Sequence, residues 1–163
     1  MKHRKLEENE KLAVRNAISR YIGKKVEELE YSNFLILKGK AKNVIYVSTE
    51  VLKELDKFDD IYSAGINIGE LEEISGKEKF LPSLEGVTLV SRDIVKNYAV
   101  INQKGESLFL YNRDVFDTSI IEIVGDGKVV IFNENRELLG IGKYDGKIIK
   151  NTMDRGWYLR HGG

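Results

Sequence analysis

The sequence predicts an α+β protein in two parts: a mixed α and β region over residues 1–85 and a β-barrel-like region over residues 86–163. Three observations carry that prediction. Residues 5–22 have the apolar spacing of an amphipathic helix and are followed by short β-rich runs. The only proline, Pro82, punctuates the middle of the chain. Beyond it, short β-branched runs alternate with glycine-bearing turns, the grammar of a small barrel or strongly bent sheet.

In KLEENEKLAVRNAISRYI (5–22), Val14, Ala17, Ile18, Tyr21 and Ile22 recur at helical spacing. Acids fill the first turn and Gly23 follows the last apolar residue, so the segment carries its own start and stop signals. FLILK (34–38) and NVIYVS (43–48) suit a hairpin. Ser48 or Thr49 then caps a helix, TEVLKELDKF, with Val51, Leu52, Leu55 and Phe58 expected along one face. Pro82 stands in FLPSLEG after the acidic stretch AGINIGELEEISGKEKF, and the division is expected near residues 80–92, because proline disfavours helix at the residue before it.

In the second part, YAVINQ (98–103) and SLFLY (107–111) flank Lys104-Gly105 as a predicted hairpin. IIEIV (120–124) is expected to meet KVVIF (128–132) across Asp126-Gly127, and ELLGIGKY (137–144) to meet KIIK (147–150) across Asp145-Gly146. Aspartate-glycine pairs favour tight turns because the central residues need φ > 0. The closing GWYLR is expected to supply a last strand or plug, burying Trp157 and Leu159 and turning its basic side chains outward.

The 26 basic and 26 acidic residues balance, which argues against a uniformly basic polyanion binder. Their distribution is uneven. Residues 1–49 carry 11 Lys or Arg against 6 acids, residues 50–79 carry 4 against 9, residues 80–139 carry 6 against 9, and residues 140–163 carry 5 against 2. Such patches direct a polyanion to one face and repel it elsewhere. The absence of cysteine excludes disulfides, zinc-cysteine sites and thiol nucleophiles. No long apolar run or signal-like start is seen, so a cytoplasmic protein without a membrane partner is expected.

In order, FLYNRDVFDTSI (109–120), GDGKVVIFNENRELLGIGK (125–143) and DRGWYLR (154–160) resemble the PUA domain, an RNA-binding pseudobarrel. Together with NVIYVS and AGINIGEL (64–71) in the first part, they resemble the archaeal and eukaryotic ribosome-biogenesis family that joins a pre-PUA domain to a PUA domain. Asn112 replaces the usual glycine after FLY, and asparagine also accepts left-handed backbone. The resemblance implies an archaeal, non-enzymatic adaptor in rRNA processing. Its PUA domain engages single-stranded or structured rRNA, and its N-terminal domain binds assembly or RNA-processing proteins. An accessory RNA-binding unit for a separate modifying enzyme, and an enzyme with a carboxylate and lysine site at the domain interface, stay open as alternatives.

The candidate RNA-binding residues are Lys143, Lys147, Lys150, Arg155 and Arg160, with Arg155 and Arg160 flanking Trp157 and Tyr158. Cations interleaved with rings suit single-stranded RNA, whose phosphates take the charges while its bases stack. Gly140-Ile141-Gly142 lacks the rest of a nucleotide-binding loop and reads as a strand bulge. The basic Lys2–Lys5 segment reads as a solvated tail, and Asp56, Asp59 and Asp60 as a solvated acidic face or protein-contact surface. No catalytic residue, metal or cofactor is expected.

Overall fold

The computed structural model describes residues 2–161 and, for Tyr158, the backbone alone. It divides between Arg92 and Asp93 into two compact units.

The first unit runs β1 (Lys2–Lys5), α1 (Glu8–Ile22), β2 (Phe34–Lys38), β3 (Lys42–Tyr46), α2 (Thr49–Leu55), β4 (Ile66–Ile74), β5 (Lys77–Pro82) and α3 (Leu84–Leu89). Its five strands form one antiparallel sheet in sequence order. Phe34, Leu35, Ile36 and Leu37 of β2 are all buried, so this strand is covered on both faces. Leu35 and Leu37 share one cluster with Ile45, Val47, Leu55 and Ile61. Ile36 pairs with Val44 on the alternate face. Helix α1 buries Val14, Ile18 and Tyr21 and packs along β5.

Two expectations change here, and two further stretches gain their places. The N-terminal basic segment is not a free tail but strand β1, paired along β2. The acidic glycine-punctuated stretch forms the β4–β5 hairpin, turned at Ser75 and Gly76, whose φ values of 54° and 74° suit the favoured two-residue turn. Phe58 lies beyond the end of α2 and is exposed, as is Val51, leaving Leu52 and Leu55 to face the core. Pro82 ends β5 opposite Gly69, inside the first unit. The Ser83 N–H bonds to the Ile68 carbonyl at 2.9 Å and α3 packs on β4, so residues beyond 85 stay with the first unit.

A buried carboxylate ties the open edge of this sheet to α1. Glu10 is 1% exposed, and Arg4 of β1 donates Nη1 and Nη2 to its two oxygens at 2.7 Å each. The Glu7 N–H at the start of α1 adds a bond of 2.9 Å. Lys42 of β3 lies 3.8 Å from Glu10 and hydrogen-bonds Glu78 of β5, so two cations and two carboxylates link four elements. Arg4 is the main cause that holds the Glu10 carboxyl below its ordinary range.

The second unit runs β6 (Tyr98–Ile101), α4 (Gln103–Leu110), β7 (Val115–Phe116), β8 (Ile120–Val124), β9 (Gly127–Phe132), β10 (Leu138–Tyr144), β11 (Ile148–Asp154) and α5 (Trp157–His161). Its strand order is β7-β11-β10-β9-β6-β8, antiparallel except where β6 runs parallel to β9. The sheet curls into a nearly closed barrel around Ala99, Ile101, Phe109, Val115, Val129, Ile131, Leu139 and Ile149.

The β10–β11 hairpin forms at Asp145-Gly146 as expected, but two other expected elements do not. SLFLY is the end of helix α4, because the Asn102 side chain caps it by accepting the Gly105 N–H at 2.9 Å, and Gly105 and Phe109 fall on one buried face. IIEIV and KVVIF do not pair; β6 lies between them and bonds to both. The Gly140-Ile141-Gly142 bulge is present twice over. The register shifts against β9 between Leu138 and Gly140, and against β11 between Ile141 and Gly142.

Replacing Arg4 by alanine strands a buried carboxylate and should cost the first unit about 1–3 kcal/mol at pH 7 in urea unfolding. The Glu10 carboxyl has a lowered folded-state pKa, so its contribution is present above the unfolded value of about 4.3 and is lost as pH falls through the folded one. The difference between Arg4→Ala and the parent should therefore shrink in acid. An equal difference at pH 7 and pH 3 would remove the ion pair as its cause.

Candidate nucleic-acid interface

The register of the barrel assembles a basic row that linear spacing only partly reveals. Lys143 of β10 lies directly opposite Lys150 of β11 on one side and Lys128 of β9 on the other. Directly paired residues point to the same face, with Cβ atoms about 4.5–5.5 Å apart. Val129, next to Lys128, belongs to the barrel core, so the row turns away from it. Like charges placed directly opposite each other destabilise a sheet. Among the described residues, none of these three ammonium groups is in an ion pair. The arrangement costs the free protein stability, a cost that a nearby anion would relieve.

Lys147 sits in the tight turn joining the two strands. The Asp145 carboxylate fixes that turn by accepting the Lys147 and Ile148 N–H groups at 3.0 and 2.9 Å. These bonds, from Ile148 first, hold the Asp145 carboxyl below its ordinary range, and the charge of Lys150 contributes further. The glycines of β10 serve close approach: a Cβ at Gly140 would lie 2.1 Å from the Met153 carbonyl oxygen, and one at Gly142 would lie 2.5 Å from the Ile149 side chain.

At the other end of β11 the segment DRGWYLR is a helical clamp instead of a strand. Asp154 Oδ1 accepts the Gly156 N–H at 2.6 Å and Arg160 Nη1 at 2.8 Å, while Oδ2 accepts Asn151 Nδ2 at 2.9 Å and Arg160 Nη2 at 3.2 Å. Arg160 Nη1 also donates to the Leu110 carbonyl, and Asn151 Nδ2 donates to the Phe109 carbonyl at 2.7 Å. Phe109 and Leu110 end α4, where carbonyls lack intrahelical partners. The clamp thus supplies the C-terminal cap of α4 from the end of the barrel. A Cβ at Gly156 would lie 2.0 Å from the Leu110 oxygen, so glycine is needed there. The same helix end closes with the Asn112 N–H on Phe109 and the Arg113 N–H on Leu108, around Asn112 at φ 57°.

Lys143, Lys147 and Lys150 therefore lie on one hairpin, whereas Arg155 and Arg160 lie at its far end. Arg160 is the correction to the outward-facing expectation: its side chain is 20% exposed and its guanidinium is committed to Asp154 and Leu110. Arg155 is an exposed turn residue whose N–H bonds to the Leu139 carbonyl, and it has a further partner. Trp157 and Leu159, expected in the core, are 53% and 65% exposed, because a helix anchored by Arg160 replaces the alternation of a strand. The Tyr158 side chain lies outside the described residues. Lys128 was missed because its place opposite Lys143 depends on strand register. Lys104 and Arg113, with Ser107, Leu108 and Tyr111, line a shallow hollow of about 340 Å³ beside α4.

Family comparison follows this division of the chain. The family model for the NIP7/UPF0113 pre-PUA domain matches residues 3–84, and that for the UPF0113 PUA domain matches residues 97–163. The chain belongs to the NIP7/UPF0113 family. Among NIP7/UPF0113 relatives, the UPF0113 protein of Archaeoglobus fulgidus is 32% identical over 148 residues, covering 82% of this chain and 81% of that one. The UPF0113 protein of Aeropyrum pernix is 30% identical over 134 residues, covering 77% and 72%. Two solved archaeal structures share the fold at 13% identity. A conserved PUA domain protein from Thermoplasma acidophilum matches with a TM-score of 0.56 over 99% of both chains. A hypothetical protein from Pyrococcus horikoshii matches with 0.58 over 97% of this chain and 99% of its own. PUA domains typically bind RNA, and NIP7/UPF0113 proteins are generally non-catalytic. Among the described residues no helix is long and apolar enough to cross a membrane.

Because the clamp caps α4, Arg160→Ala should destabilise the second unit by about 2 kcal/mol or more, with faster hydrogen exchange at α4 and β11. Arg160→Lys should recover only part of this, since an ammonium cannot span both carboxylate oxygens and a carbonyl. Parent-like exchange in Arg160→Ala would show that the clamp carries no stability.

Proposed function

We propose that this protein is a non-enzymatic RNA-binding adaptor in rRNA processing and ribosomal-subunit biogenesis. The observation that carries the reading is the Lys128–Lys143–Lys150 row on the PUA unit, with Lys147 at the adjoining turn. Four ammonium groups on one hairpin and its neighbouring strand suit a phosphate backbone, whose contacts position an RNA without reading its sequence. Arg155 stays a candidate contact at the far end of β11, while Arg160 acts chiefly by holding the segment in place. In the first unit the α2–β4 connection carries Asp56, Asp59 and Asp60 together with the exposed rings of Phe58 and Tyr62. An acidic surface with apolar anchors repels RNA and suits the proteins of ribosome assembly or RNA processing, so the two units divide the adaptor's work.

If the four lysines each meet a phosphate, affinity for single-stranded RNA should fall with salt at a log-log slope of about −3, from about −0.7 per contact. Each lysine changed to alanine should flatten the slope by about 0.7 and weaken unrelated sequences alike. Asp59→Asn and Asp60→Asn should leave affinity unchanged or slightly raised, since repulsion is relieved. A folded Lys128→Ala/Lys143→Ala/Lys147→Ala/Lys150→Ala variant with unaltered affinity and slope would place the RNA face elsewhere.

A further inference from the structure

Trp157 is the only tryptophan of the chain, and more than half of its surface is left in water. A large ring that does not serve a core is an expensive use of apolar area unless it meets something else. Here the ring is held in place from several directions. His161 stacks on it with centroids 4.7 Å apart and planes 20° from parallel, and donates Nδ1–H to the Trp157 carbonyl at 2.9 Å. The backbone on either side is fixed by the Gly156 N–H on Asp154 and by the fork of Arg160 on the same carboxylate.

The surroundings distinguish between kinds of partner. Among the described residues of α5, the exposed apolar side chains are Trp157 and Leu159, two positions apart on a helix and so on different faces. They do not make the continuous stripe that a protein groove would grip. Trp157 and His161, four apart, share one face and form a flat two-ring stack. This stack follows directly on β11, the strand that carries Lys150 of the unpaired lysine row; Lys150 and Asp154 are separated by about 13 Å along an extended strand. Residues 140–163 hold 5 basic side chains against 2 acids, so an anionic chain reaching past the row is not repelled. A flat ring just beyond the end of a strand that carries cations is an arrangement able to hold single-stranded nucleic acid, phosphates on the charges and a base on the ring.

We infer that the Trp157–His161 stack is a platform for one unpaired nucleobase of an RNA whose phosphates lie on the lysine row; this rests on the RNA-binding reading. Stacking on an indole face is sequence-tolerant, so the platform selects unpaired over paired RNA more than one base over another. The clamp of Asp154 and Arg160 positions it.

The test uses the full chain and oligouridine of about eight nucleotides, within single-strand site sizes of about 4–16 nucleotides, beside an abasic oligomer of the same backbone. The lone tryptophan reports directly, and oligouridine should change its fluorescence saturably while the abasic oligomer does not. Trp157→Ala should bind oligouridine about ten-fold more weakly with the salt slope unchanged, and Trp157→Phe should retain most of the affinity. The parent should bind the abasic oligomer about as weakly as Trp157→Ala binds oligouridine. Circular dichroism melting confirms that both variants are folded. If oligouridine binds, the lysine variants weaken it, and Trp157 neither changes fluorescence nor matters to affinity, the platform is overturned while the RNA-binding reading stands. If fluorescence instead responds to a protein or to a second copy of the chain, the ring belongs to a protein contact and the inference fails. If neither oligomer binds the parent at low salt, the functional reading fails and the platform with it.

Discussion

The carboxylate of Asp154 is the constraint on which the arrangement of the second unit rests. It gathers Gly156, Asn151 and Arg160, and through Asn151 and Arg160 it reaches the carbonyls that end α4. A charge this enclosed is stable only when its lone pairs are satisfied, and here each oxygen receives two donors. The consequence is mechanical. The last strand, the closing helix and the first helix of the barrel are fixed to one point, and the chain leaving α4 is delivered to β7, which pairs with the start of β11.

Charge is used in opposite ways in the two units. In the first, Arg4, Glu10, Lys42 and Glu78 neutralise one another and join β1, α1, β3 and β5. In the second, Lys128, Lys143 and Lys150 are set side by side without that compensation. The repulsion within such a row is tolerated because the hairpin beneath is held by backbone pairing and by Asp145 at its turn, interactions that do not depend on the lysines. A surface that serves no structural role is free to be kept for a ligand.

What could be read from the sequence was whatever depends on near neighbours. The helix ending at Ile22, the β2–β3 hairpin and the Asp145-Gly146 turn follow from spacing and turn chemistry alone, and the order of motifs pointed to the two-domain family. The errors share a cause. SLFLY is a short apolar run that suits helix or strand, and Asn102 decided between them by capping. Asp126-Gly127 has hairpin chemistry, yet β6 from thirty or so residues earlier occupies the place beside β9. At the site, Lys143, Lys147 and Lys150 were legible as a basic hairpin, whereas Lys128 joins them only through register. Arg160 resembled its basic neighbours in sequence and differs by having Asp154 six residues before it in space as well as in the chain.

The parallel β6–β9 pair sets the order in which the protein can be built. Every strand neighbour in the first unit is also a sequence neighbour, so its sheet can grow as the chain lengthens. The barrel cannot. Strand β6 waits for β8 and β9, β7 waits for β11, and the Leu110 carbonyl at the end of α4 waits for Arg160. Loop closure over such separations is slow and leaves strand edges open meanwhile. During synthesis, the first unit can therefore be complete while the second is still an unfinished chain, and the β10–β11 hairpin, local though it is, gains its place in the barrel only when β9 and β7 are also in position.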